Sequence, residues 1–251
     1  MSKFTPCPDF DLAPMSWVPR DFLAKVPPSE RKIVGSFFAL SVAFNDVKGL
    51  LWIVEQLVKG KSITPGINAY DGQWAGMYGQ VKRLIIACFY EVMEAIKTNR
   101  SALDQPNFQQ VIAKLGISAK AHWDILMALD AARKPMSSGI EARVIGFVKK
   151  VRNSIAFHYY EPNNFLEGYD QWIAASGPGT DRAYVSLGRN AEETRFFVAD
   201  AVVEQFFNKA LKDCGLTEDQ VFDHVKSVNN SLRFVLEEFI KLYAAPKPVS
   251  A

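Results

Sequence analysis

Lys149-Lys150-Val151-Arg152-Asn153-Ser154-Ile155-Ala156-Phe157-His158-Tyr159-Tyr160 is the stretch on which the reading of this chain turns. Val144, Val148, Val151, Ile155 and His158 step by four, three, four and three residues, the spacing of one face of an α-helix. The pattern predicts a helix from Ile140 to about Tyr160, opened by Ser137 or Ser138 and closed by Glu161-Pro162-Asn163-Asn164. Its C-terminal half carries the most basic run of the chain and one of only three histidines.

Working outward, the same periodicity predicts a mainly α-helical protein. After a Pro-rich, irregular arm over residues 1–28, whose Trp17 and Phe22 are expected to pin it to the body, Ser29 is placed as the cap of a helix running to about Lys59. Its core stripe is Ile33, Phe37, Leu40, Phe44, Val47, Leu51, Val54 and Val58. Gly60, Pro65 and Gly66 end it. A second long helix is expected from about Gln73 to Lys97, with Val81, Leu84, Ile85, Cys88, Val92 and Ile96 inward, antiparallel to the first. Shorter helices follow over about 107–115 and, capped by Ser118, about 119–133. Residues 29–160 thus form an up-and-down helical bundle. Residues 161–251 are read as an extension packed on it: a loop over 161–180 with one short turn near Tyr169–Trp172, then a small β-hairpin within 183–198 whose second arm also fits a helix. Two further helices follow, one capped by Asp200 and one opened by a Thr217–Gln220 capping box.

Composition excludes several function classes. With 49% hydrophobic and 22% charged residues the chain is of ordinary globular type, and a net charge of +2 gives no overall field for nucleic acid or anionic lipid. Any RNA contact must be local. Cys7, Cys88 and Cys214 are scattered and form no CxxC pair, which points to a reducing, cytoplasmic setting without zinc. The longest uncharged stretch, Ile33 to Asn45, is shorter than the roughly 18–20 residues of a bilayer span, so no membrane is expected. Phosphate-loop, HExxH and GxSxG motifs are missing from the sequence.

Arginine and histidine near one another suit RNA cleavage without a metal. An imidazole titrates near neutrality and can take the 2′-hydroxyl proton or protonate the leaving 5′-oxygen, while a guanidinium holds the scissile phosphate. On a regular helix Arg152 and His158 lie roughly 120° apart. Two copies packed along the Val144–His158 seam would bring both imidazoles into one groove, supplying an acid and a base. His122, beside Trp123, reads as structural, and His224 as surface or interface. Glu91, next to Tyr90, either reaches the site from the second helix or lies at the surface. Lys149 and Lys150 either guide phosphate or form a solvated face.

Arg152-Asn153-Ser154-Ile155-Ala156-Phe157-His158 resembles the Arg-x(4–6)-His signature of the HEPN superfamily, whose first variable position is often Asn, Asp or His. The resemblance implies a HEPN-like helical bundle with this motif late in a helix. It implies a metal-independent endoribonuclease with no cofactor, active in phage defence (abortive infection), as a toxin, or in a stress response. On that reading Arg152 and His158 are catalytic and Asn153 supports them, with Lys149, Lys150 and Tyr160 contacting RNA. The partners implied are RNA, a second copy of the chain through the motif helix, and an antitoxin or accessory protein. The competing reading is a non-catalytic helical module that binds nucleotide, RNA or protein.

Overall fold

The computed structural model describes residues 16–20, 26–60, 68–132, 139–156, 162–175, 183–191, 193–244 and 247–248. Expectations placed on Phe22, Ser137, Ser138, His158, Tyr159 and Tyr160 lie outside these residues. The described chain is mainly α-helical, as its periodicity demands. It comprises α1 (Arg31–Lys59), α2 (Ala69–Thr98), α3 (Arg100–Leu103), α4 (Pro106–Ala113), α5 (Ile117–Ala132), α6 (Ile140–Val151), α7 (Pro162–Ala175), α8 (Phe197–Asp213) and α9 (Glu218–Ala244). Two short strands, β1 (Ser16–Trp17) and β2 (Lys247–Pro248), pair antiparallel.

α1 and α2 form the long antiparallel pair. The Trp74 indole at the start of α2 donates to the Leu57 carbonyl near the end of α1, at 2.6 Å. Ser29 does not cap α1: it lies in a 3-10 turn, Pro28–Glu30, and the helix starts behind Glu30. Asn68 caps α2 instead, its side chain accepting from the Asp71 amide at 2.8 Å, so α2 begins before Gln73. On α1, Ile33, Phe37, Leu40 and Val47 are buried as the stripe predicts, but Val58 is 54% exposed. By length and composition α1 could also cross a bilayer; in the fold, its buried stripe packs on α2 and α9. On α2, Ile85, Val92 and Ile96 are buried as expected and Val81, Leu84 and Cys88 are half-buried, while the deepest face also takes in Lys82, Ile86, Phe89 and Met93.

Phe37, Phe108, Trp123 and Phe239 tie α1, α4, α5 and α9 together, with the Phe37 and Phe239 rings stacked at 3.7 Å between centroids. Between them and α8, α6 runs through the middle, in contact with α2, α5, α8 and α9. Phe147 of α6 meets Phe207 of α8 edge-on at 5.1 Å. Val221, Val225, Val228, Leu232, Val235 and Phe239 of α9 are as deeply buried as Val144 and Val148 of α6, and one apolar cluster includes them all.

Three local expectations need correction. The segment after Pro162 is not a loop with one turn but the 14-residue helix α7. Proline is compatible with a first helical turn, where its missing N–H has no partner to lose. Phe165, Leu166, Tyr169, Trp172 and Ile173 then recur at helical spacing, and Gly168 lets α7 approach the Val202 carbonyl of α8. The hairpin is reduced to one bridge, Ser186 to Arg195, closed by two backbone hydrogen bonds of 2.7 and 2.9 Å. Phe197 and Val198 are already helical, so Asp200 sits in the first turn of α8 rather than capping it, and pairs with the Arg195 guanidinium at 2.8 Å. By contrast, the capping box of α9 forms both of its bonds: the Thr217 amide donates to Gln220 Oε1 at 2.9 Å and the Gln220 amide to Thr217 Oγ1 at 3.2 Å.

Candidate functional site

The apolar face read along the motif helix is a core face. Val144, Val148, Val151 and Ile155 are each 0% exposed, covered by the chain's own helices. Two copies therefore cannot pack along this seam, and a second chain would have to meet the helix on its open side, where Gly146, Lys149 and Asn153 are exposed at three- and four-residue spacing. At Arg152 the helix also changes type: residues Arg152–Ala156 form a π-helical turn packed against α2. A π turn widens the ring of backbone hydrogen bonds, so the angular phase of an α-helix does not carry through it. The predicted alignment of His158 with Val151 cannot be extended past this turn.

The π turn presents Arg152 to α2, at the protein surface. Its Nη2 lies 3.5 Å from Glu91 Oε1, and its Cζ lies 5.0 Å from the centre of the Tyr90 ring. Nη1 donates to Asn153 Oδ1 at 3.3 Å. The arginine side chain keeps 31% exposure and Glu91 keeps 57%. Arg152, Asn153, Tyr90 and Glu91 are thus brought together, and Glu91 reaches the motif from the neighbouring helix. Such a guanidinium, with its Nε buried, its side chain partly exposed and an aromatic ring beside it, can take a phosphate oxygen in place of the carboxylate.

The two lysines separate. Lys149 is exposed, whereas Lys150 turns to α8 and donates to Asp213 Oδ2 at 2.9 Å. Lys209 donates to the same oxygen at 2.8 Å and also pairs with Glu167 at 3.1 Å. Hydrogen bonds from Lys209 first and Lys150 second hold the Asp213 carboxyl down at about 2. Lys150 therefore serves a structural junction of α6, α7 and α8 and does not line the site with Arg152.

His122 is structural, as expected: its ring stacks on Phe234 at 4.3 Å and Nδ1 lies 3.1 Å from Ser231 Oγ. His224 is half-buried, facing α2. Its ring meets Phe89 edge-on at 6.0 Å, and Nε2 is buried without a hydrogen-bond partner. Burial pushes its pKa down, with Glu141 acting weakly the other way.

One charged cluster escaped the sequence reading. Lys82 of α2 is 2% exposed, and its ammonium lies between Glu218 Oε2 at 2.8 Å and Glu204 Oε1 at 3.0 Å. The Tyr78 and Phe207 rings flank it at 4.9 and 4.8 Å. Tyr78 donates its hydroxyl to Glu218 at 3.0 Å, and burial together with Glu218 raises the phenol pKa well above its ordinary value. Its trace in the sequence is a lysine at inward spacing, Tyr78-Lys82-Ile85-Phe89, within an otherwise apolar face. Compared with known proteins, the chain matches no protein-family model, no curated protein and no solved structure.

Proposed function

We propose that the protein is a metal-independent endoribonuclease of HEPN type, with Arg152, Asn153 and His158 as its reacting and supporting groups. The observation that carries this reading is the placement of Arg152: a π turn interrupts the helix at the motif arginine and leaves its side chain partly exposed, at 31%, beside Glu91. Single π turns inside α-helices occur frequently at functional sites. Arg152 would hold the scissile phosphate and stabilise its growing charge, with His158 moving the proton. The attacking 2′-hydroxyl would leave a 2′,3′-cyclic phosphate and a 5′-hydroxyl. The second proton-transfer group would come from a second copy, docked on the open stripe Gly146, Lys149 and Asn153. A cytoplasmic role in phage defence or stress fits this activity.

A second reading is supported by the ion pairs. Arg152 faces Glu91, and Lys150 is taken up by Asp213, as expected of a non-catalytic helical module. The deciding experiment incubates wild type, Arg152→Ala and His158→Ala with total RNA and EDTA, and maps fragment ends. Chelator-resistant cleavage that leaves cyclic phosphate and is lost in both variants is the expected result. Intact RNA with a folded wild-type protein would favour the binding module.

A further inference from the structure

α1 buries one side and leaves the other open. Ile33, Phe37, Leu40 and Val47 pack into the core, yet only 17% of the most apolar 18-residue stretch of this helix is covered. Phe38 and Val42 are 43% and 60% exposed, and Ile53, further along the same face, is 38% exposed. Arg31, Gly35, Phe38, Val42 and Asp46 recur at three- and four-residue spacing, so they share that outer face, and all five are exposed. A Cβ on Gly35 would meet nothing within 4 Å. A glycine inside a helix costs stability relative to alanine, and no neighbour in the chain requires this one.

The charges on this face select its partner. Arg31 and Lys32 stand at one end and Asp46 at the other, roughly 21–23 Å apart along the helix at 1.5 Å per residue. None of the three has an ion-pair partner among the described residues. A second α1 laid antiparallel brings opposite ends together. In the register that sets Arg31 opposite Asp46 of the second copy, Val42 falls opposite Gly35 and Phe38 opposite Ala39. One register thus joins two symmetric charge pairs, seats both valines in the notches left by the glycines, and puts a two-fold axis between Phe38 and Ala39. Anionic lipid fits this face less well, since Asp46 would meet headgroups of its own sign.

We propose that the open face of α1 is a self-association surface: two copies pack α1 against α1, antiparallel, about a two-fold axis at Phe38–Ala39. The paired stretch Arg31–Asp46 is roughly 24 Å long, a short seam that makes the dimer weak and concentration-dependent. It is a different contact from the docking on α6 and does not rest on the ribonuclease reading.

Sedimentation equilibrium of the full chain, over a concentration series up to about 1 mM, tests the assignment. Wild type is expected to pass from monomer to dimer. Asp46→Lys, and Arg31→Glu with Lys32→Glu, should each weaken self-association at least about ten-fold by setting like charges opposite one another. Mixed in equal amounts, the two variants should pair as well as wild type, because the mixture restores both charge pairs. Gly35→Leu fills the notch and should abolish the dimer while leaving the melting temperature unchanged or raised, since leucine is the better helix former. A wild type that stays monomeric overturns the proposal. So does a dimer indifferent to these variants, or one whose charge variants fail to pair when mixed. Wild type that is monomeric but co-sediments with phosphatidylcholine vesicles assigns the face to lipid, which overturns it as well.

Discussion

Arg152 Nη2 stands 3.5 Å from Glu91 Oε1, a separation at the loose end of ion pairing, with both side chains reached by solvent. A pair of this kind contributes roughly 0.2–1 kcal/mol, little enough for a phosphate to displace the carboxylate. Removing the competitor should therefore help an anion. Glu91→Gln is expected to tighten RNA binding up to about five-fold at fixed salt, the factor that follows from that energy. Fluorescence anisotropy with labelled single-stranded RNA reads this directly, and unchanged or weaker binding would take Arg152 out of the RNA contact.

Lys82→Met should be among the most damaging single changes. It leaves Glu204 and Glu218 facing one another without the cation that joins α2, α8 and α9. Breaking a buried pair costs about 3–5 kcal/mol, and the partial exposure of both carboxylates (40% and 30%) places this one at the low end. At roughly 2–4 °C per kcal/mol for a chain of this size, the melting temperature should fall about 6–12 °C. Scanning calorimetry measures it; a drop under about 2 °C would show the cluster to be energetically idle.

Glycine substitutions separate close approach from open helix. A Cβ at Gly168 would meet the backbone carbonyl of Val202, which cannot swing aside, so Gly168→Ala should force α7 from α8 and cost about 1–3 kcal/mol. At Gly76 the obstruction is the Arg195 and Asp200 side chains, which can move, so Gly76→Ala should cost less. Gly49→Ala meets nothing within 4 Å and should gain up to about 1 kcal/mol of helix propensity. Urea midpoints for the three variants should fall in that order.

His224 sets a pH dependence of stability. Burial lowers its folded pKa below the ordinary 6.5, so the unfolded chain takes up the proton more readily. Stability from this group is present in full above about pH 6.5 and is lost as pH falls toward the depressed folded value, at up to about 1.4 kcal/mol per pH unit. Asp213 acts in a lower window, where its contribution fades as pH drops from 3.8 toward about 2. Urea midpoints between pH 7.5 and 5.0 should slope for the wild type and be nearly flat for His224→Leu. Equal slopes would relocate the titrating group.

Helical periodicity made the architecture legible, since Val144, Val148, Val151 and Ile155 are buried where their spacing puts them. The Thr217–Gln220 box was equally legible, because its donors and acceptors lie within three residues. α7 was misread because Pro162, Asn163 and Asn164 look like breakers, whereas a proline in the first turn disrupts no hydrogen bond. The face of α2 was only half legible: Ile85, Val92 and Ile96 are buried as their spacing requires, whereas the burial of Lys82 depends on partners 122 and 136 residues away. Arg152 and its neighbour Glu91 could be anticipated from two helices alone. The capture of Lys150 by Asp213, 63 residues on, leaves no periodic trace in the sequence.

The pairing of β1 with β2 sets Ser16 opposite Pro248 and Trp17 opposite Lys247. Residues 17 and 247 thus close the chain path into a ring, and a covalent link there would spend little loop-closure entropy. Circular permutation is the natural use of such adjacency. A chain joined across this pair and reopened between α1 and α2 would keep the Phe37–Phe239 stack and the Lys82 cluster.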